Sequence, residues 1–235
     1  TQRLEPLQDV QVRQAIQYAV DKEAIVEAIT GGYAKKLEGQ MASPSAFGHN
    51  PDVKAFPYDP QKARELLAEA GYADGFSLPI KASAGRYFKD KETTEALVAY
   101  LAEVGITAEV EFLEPAVWAE RYLANQLDEG GMWNCGWNLL PAMDVVISYP
   151  HFTCESPREI WCNERFDELY KQQNVETDAE KRLTLLHEMA QVVHDEAIML
   201  YLYQIPFIYA YDPGVSNVRF LENGTMNLME ATVSR

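Results

Sequence analysis

Positive charge is scarce in this sequence. Lys and Arg number 20 against 36 Asp and Glu in 235 residues, a formal net charge of −16. That balance excludes non-specific nucleic-acid binding, which needs clustered cations to neutralise phosphates. It equally excludes docking on an anionic membrane through a polybasic patch. Long apolar runs are missing as well: none approaches the roughly 20 residues of a membrane-spanning helix. Residues 1–7 lack the apolar core of a signal peptide, so the chain either starts after processing or is a piece of something longer. There is no Gly-rich phosphate loop and no Gly-x-Ser-x-Gly elbow. Histidine is rare, with four in the chain. His187 and His194 lie beside carboxylates but seven residues apart, and two imidazoles without a thiolate or a spaced third ligand make a poor metal site. No metal and no cofactor are expected. His187 continues the stripe of Leu183, Leu186 and Ala190, and is read as a hydrogen-bonded, half-buried residue. Carboxylates abound, but a sequence does not pair them in space, so a glycosidase pair is unsupported. The chain is not read as an enzyme.

What is present is a large apolar fraction, 47% of residues, enough for a substantial core and against global disorder. The length suits one large domain or two small ones. Helix and strand signals alternate, as in an α/β layer fold. Asp9 reads as an N-cap before Val12, Ile16, Ala19 and Val20 at helical spacing. A short helix is expected over 22–29, stopped by Gly31 and Gly32. Residues 34–58 show no period and hold Gly39, Pro44, Gly48, Pro51 and Pro57, an irregular excursion of the functional or packed kind. Asp59, Pro60 and Gly71 punctuate a helix whose stripe is Ala63, Leu66, Leu67 and Ala70. Strands are expected over 76–82 and 106–112, the second alternating as a half-buried strand should. Between them runs a helix with Leu97, Tyr100, Leu101 and Val104 on one face, ending at Gly105. A helix over 116–127 and a buried strand over 132–137 follow. Thr177 and Glu180 suggest a capping box for a helix reaching His194. The last strands are placed at 198–203 and 207–211.

Aromatic residues carry more functional information than polar ones. Trp133, Trp137, Trp161, Tyr87, Tyr149 and Phe152 fall after strands or in loops, where flat side chains suit stacking on a sugar, a peptide side chain or a planar solute. Each taken singly also fits core packing; together, without catalytic motifs, they favour binding over catalysis. Cys135 sits in an apolar strand context and reads as a buried free thiol. Cys154 and Cys162 are eight apart, a separation that a disulfide closes but does not require; a bridge would mean an oxidising compartment. Asn223-Gly224-Thr225 fits both a glycosylation sequon and a turn, and the turn is preferred.

Four stretches together resemble a known family. They are Pro6-Leu7-Gln8-Asp9-Val10-Gln11-Val12-Arg13-Gln14-Ala15-Ile16 with Tyr18-Ala19-Val20-Asp21-Lys22, and Tyr58-Asp59-Pro60 with Ala63, Leu66-Leu67 and Ala70-Gly71-Tyr72. Gly136-Trp137 follows an apolar strand, and Asp178-Ala179-Glu180-Lys181-Arg182 leads to Leu200-Tyr201-Leu202. In this order the chain resembles the C-terminal lobe of the family 5 extracellular solute-binding proteins, the dipeptide, oligopeptide and nickel receptors of bacterial ABC importers.

The resemblance implies an α/β fold of the periplasmic-binding-protein type II kind, a mixed sheet with helices on both faces. Residues 1–205 would form the ligand-binding lobe, and 206–235 a terminal segment returning to an N-terminal lobe absent here. The implied function is capture of a small polar solute, such as an oligosaccharide or oligopeptide, in a two-lobed cleft for delivery to a permease. The alternative is a solute-sensing domain of a signalling or transcriptional regulator. The implied partners are the solute, the other lobe and membrane permease subunits, not nucleic acid, with the protein a monomer. The implied address is periplasmic or extracellular, held at the membrane by a lipid anchor or the permease. Phe152-Thr153-Cys154 and Trp161-Cys162-Asn163 with Phe166 are similar to a loop in which the two cysteines are bridged. The cleft is expected to use Arg86 and Tyr87 after one strand and Trp133, Trp137 and Asn138 after another, in keeping with ligand binding beyond strand ends. Peptide-binding members place an acidic residue three positions after the Trp of Gly-Trp. Here Leu140 stands there, and Asp144 would substitute only if the loop folded back. A buried ligand ammonium would lose its counter-charge, so an uncharged polar solute such as an oligosaccharide is preferred.

Overall fold

The structure, a computed structural model, describes residues 3–125, 130–139, 142–221 and 224–234. Helix α1 (Val10–Ala19) starts where the Asp9 carboxylate accepts the Gln11 N–H, and α2 (Lys22–Thr30) where Asp21 accepts the Ala24 N–H. A carboxylate there satisfies an orphan donor and faces the positive end of the helix dipole. The chain then makes a two-residue strand β1 (Lys35–Lys36) and crosses an irregular segment to α3 (Pro60–Glu69), capped by Asp59 on Lys62 N–H with proline in the first turn. The order continues β2 (Phe76–Ser83), α4 (Asp90–Glu103), β3 (Ile106–Leu113), α5 (Pro115–Leu123) and β4 (Met132–Trp133). These form a three-stranded parallel sheet in the order β3-β2-β4. Gly75 and Gly105 enter β2 and β3 side by side at positive φ. A Cβ on Gly75 would lie 1.8 Å from the Gly105 carbonyl oxygen, so only glycine fits.

In register, Leu78 faces Ala108 and Ile80 faces Val110. This face packs with Leu66, Leu67, Leu97, Leu101, Val12 and Ile16 into a first core. The remaining elements are α6 (Glu164–Val175), α7 (Ala179–Asp195), β5 (Tyr203–Gln204), β6 (Val215–Ser216), β7 (Arg219–Phe220), β8 (Met226–Asn227) and β9 (Thr232–Val233). A second core gathers Phe152, Trp161, Phe166, Leu169, Leu186, Met189 and Val193 under loops and the single-turn 3-10 helices Val145–Ile147 and Tyr149–Phe152. The disulfide Cys154–Cys162 closes a loop over this core, and Cys135 is a free thiol.

The α/β class stands as read. Antiparallel pairing, among the described residues, lies in the separate ladders β1-β5, β6-β9 and β7-β8 rather than inside the central sheet. Several expected elements differ. Asp178, not Thr177, caps α7: it stands one residue closer to the first turn, and its carboxylate accepts from both Glu180 and Lys181 N–H. α5 ends at Leu123, and residues 126–127 of the expected helix lie outside the described residues. The strand expected over 132–137 pairs only at Met132 and Trp133. Of 198–203 only Tyr203 enters a ladder, with Lys36, and 207–211 is not a strand. Apolar alternation marks half-buried extended chain, but a strand also needs a neighbour with free backbone groups. Leu221 and Gly224 close the β7-β8 turn through Gly224 N–H to Leu221 C=O at 2.9 Å, while Asn223 lies outside the described residues. His187 is half-buried as expected, but its Nε2 is enclosed without a hydrogen-bond partner, so the expected side-chain hydrogen bond is not found there.

Candidate functional site

The parallel strands β2 and β4 end beside a cavity of about 480 Å³, the position at which open α/β sheets receive ligands. Tyr87, Trp133, Trp137 and Asn138 line it together. Arg86 does not; it is exposed, and its guanidinium carbon lies 4.9 Å from the ring centre of Trp118 and 5.4 Å from that of Tyr87, with Nε donating to the Tyr87 hydroxyl at 3.1 Å. Arg86 therefore braces the outside of the aromatic wall. Of the other aromatics considered, Tyr149, Phe152 and Trp161 are buried in the second core and have no place in the cavity. Their loop positions hid that role, because this core is built largely from loops.

One carboxylate organises the β2–α4 turn. Asp90 accepts from the backbone N–H groups of Gly85, Arg86 and Tyr87 at 2.9–3.1 Å and from the Ser83 hydroxyl at 2.9 Å. Burial alone would raise its pKa, but these donors outweigh burial and hold the carboxyl below the usual range. The sequence signal was modest: an acid five residues after a strand-end glycine, opening a helix. Asn134 is similarly committed, its Oδ1 accepting Ser83 N–H at 2.9 Å, which ties β4's exit to β2. Gly136 lets the Tyr87 ring lie flat on the backbone, since a Cβ there would stand 2.7 Å from a ring carbon.

The opposite wall is the extended chain 198–205, including Tyr203, whose hydroxyl meets Thr93 Oγ1 at 2.9 Å and donates to Phe88 C=O at 2.9 Å. Tyr122 of α5 and Cys135 also line the cavity. Burial pushes the Tyr122 phenol upward and the Cys135 thiol up to about 11, which favours the protonated thiol at neutral pH and slows its reaction with thiol reagents. Asp144 is spent elsewhere. It caps a 3-10 turn through Val146 N–H and pairs with Arg182 at 2.8 Å, outside the cavity lining. Leu140 lies outside the described residues. Among the described lining residues, Asp90 is thus the one formally charged side chain, and its oxygens are occupied. No group of three or more potential metal ligands occurs among the described residues.

Comparison with known proteins follows the same outline. The family model described as bacterial extracellular solute-binding proteins, family 5 Middle, matches residues 2–156. The Escherichia coli dipeptide-binding protein is 32% identical over 201 residues, 82% of this chain and 37% of that one. Heme-binding protein A of Haemophilus influenzae is 30% identical over 200 residues, 82% of this chain and 36% of that one. The structure of HbpA2 from Haemophilus parasuis superposes with a TM-score of 0.80 at 23% identity, covering 97% of this chain and 46% of that chain, and places the fold among type II periplasmic binding proteins. The chain therefore spans little more than a third of the curated relatives it matches.

Proposed function

The chain belongs to family 5 of the bacterial extracellular solute-binding proteins, and from that premise we propose that it supplies one lobe of an ABC importer's solute receptor. The observation that carries this reading is the cavity of about 480 Å³ at the parallel strand ends, walled by Tyr87, Trp133 and Trp137. Its size suits a small solute, and its aromatic walls offer stacking surface rather than reacting groups. Residues 1–205 hold this wall. Residues 206–235 make small ladders apart from the central sheet and expose Phe207, Ile208, Leu228 and Met229, which supports their packing on a second lobe. Closure of that lobe would complete the cleft and present the loaded receptor to membrane permease subunits. The bridged Cys154–Cys162 supports a periplasmic or extracellular address and counts against a sensor in a reducing compartment.

The solute favoured by these walls is uncharged and polar, such as an oligosaccharide. A free α-ammonium would need a carboxylate, and the described lining offers only Asp90, already saturated. Relatives named for dipeptide and heme show that family membership does not fix the ligand. Calorimetric titration of the complete protein with neutral oligosaccharides and with di- and oligopeptides tests both levels. Binding of an oligosaccharide is the expected result. Tight binding that requires a peptide's free amino terminus would overturn the neutral-solute assignment, and silence toward every solute class would overturn the receptor reading itself.

A further inference from the structure

Arg158 lies at the middle of the loop closed by Cys154 and Cys162 and is 8% exposed, yet it has no carboxylate partner among the described residues. Burying a guanidinium without a counter-charge is costly, so its three neutral contacts need a reason. Its guanidinium carbon sits 4.0 Å from the centre of the Tyr122 ring, and its Nη1 donates to the Tyr122 carbonyl at 3.0 Å. That carbonyl is in the last turn of α5, where it also accepts the Asn125 N–H at 3.3 Å and where the helix dipole favours a cation. Its Nε donates to His151 Nδ1 at 3.1 Å. The donation requires an unprotonated Nδ1, so the neutral ring carries its proton on Nε2. Burial first and Arg158 second hold the His151 pKa below its ordinary value, keeping it in that form. The His151 ring packs on Trp137 with centroids 4.8 Å apart. Tyr122 and Trp137 are both cavity walls, borne by different elements.

We propose that Arg158 is a positioning residue for the cavity, tying the Tyr122 wall to the Trp137 wall, and that the Cys154–Cys162 bond holds it in place. The inference rests on the cavity being the solute site only for its biological meaning; the geometry it asserts is testable without a ligand. Cys135 is the reporter, because it lines the same cavity and is the free thiol in the oxidised protein.

The test measures the rate at which Ellman's reagent labels Cys135 in the folded, full-length protein carrying Arg158→Met, Arg158→Lys or the pair Cys154→Ser and Cys162→Ser. The two simplest effects have opposite signs. Loss of the nearby cation alone raises the thiol pKa further and slows labelling. Release of the walls opens the cavity and speeds it, by roughly tenfold or more on the scale of local opening events. Faster labelling is expected in Arg158→Met and in the double serine variant, with Arg158→Lys intermediate because it keeps the charge but not the planar fork. Nitrogen NMR of His151 should show the Nε2–H form in the parent and its loss in Arg158→Met. Labelling that is unchanged or slower in the folded variants overturns the proposal. If Arg158→Met does not fold, Arg158→Lys and the serine pair decide it by the same criterion. Failure here leaves the calorimetric reading of solute capture standing, and the reverse also holds.

Discussion

The two cores of this chain are opposite in construction. The first is a parallel sheet packed with helices, its residues spaced by the periods of helix and strand. The second is assembled around Phe166, which meets Tyr149, Phe152 and Trp161 edge to face at 5.4–6.5 Å, from short turns, two helices and a disulfide-closed loop. In the first, backbone hydrogen bonds fix the frame and side chains fill it. In the second, side chains and one covalent bond fix the frame. The largest expected effect follows from that contrast. Leu101→Ala and Phe166→Ala each remove a fully buried side chain, and the ordinary costs overlap at about 2–5 and 3–5 kcal/mol. Phe166→Ala should fall at the top of its range and lower the urea m-value, as its loops lose their one shared anchor and loosen before global unfolding. Equal m-values for the two variants would erase the distinction.

The same contrast decided what the sequence revealed. Asp59-Pro60 and its stripe, the strands Phe76–Ser83 and Ile106–Leu113, and the helix between them are local patterns, and the structure holds them nearly as read. The loops of the second core carry no period, so Trp161 and Tyr149 looked like candidate ligand platforms. In the cavity, Tyr87, Trp133, Trp137 and Asn138 were legible because flat or amide side chains follow strands. Tyr122 and Arg158 were not, because their roles lie in contacts across the chain: Arg158 reaches Tyr122, 36 residues away. Asp90 acts locally, on N–H groups three to five residues before it, and left only a modest signal.

Lys22 is where the regular half breaks its own rule, and it gives the next largest effect. Its amine is buried, donating to the Gln17 carbonyl at 2.8 Å and weakly to the Phe56 carbonyl at 3.4 Å, with no ion pair among the described residues. Burial, and secondarily the charge of Lys36, lower its pKa to about 8. The unfolded chain keeps the proton up to about pH 10.4. Between those values the unfolded state binds more protons than the native state, so stability rises with pH across the window, by about 3 kcal/mol at most, and the cost is fully present below it. Urea unfolding across this window should show that rise in the parent and not in Lys22→Met. A parent curve without the rise would mean the ammonium is better solvated than its burial indicates.

The smallest effect asks where the two halves behave alike. Asp59 caps α3 beside the first core, and Asn163 caps α6 beside the second, accepting Phe166 N–H at 3.1 Å directly after Cys162. An N-cap acts on its own first turn, so replacement by Ala should cost about 1 kcal/mol in either half whatever lies beneath. Asn163 has one further contact, Nδ2 to Glu196 Oε1 at 3.5 Å, too long to contribute much. Glu196, however, also receives Arg13 of α1 at 2.7 Å, and Arg13 Nε reaches the Glu196 carbonyl at 2.7 Å. This joins the first core's helix to the end of α7. Matching losses in chemical denaturation of Asp59→Ala and Asn163→Ala would show that capping is local even where no sheet supports it. A loss in Asn163→Ala well above that in Asp59→Ala, and abolished when Glu196→Gln is already present, would instead place Asn163 in the polar joint between the two cores.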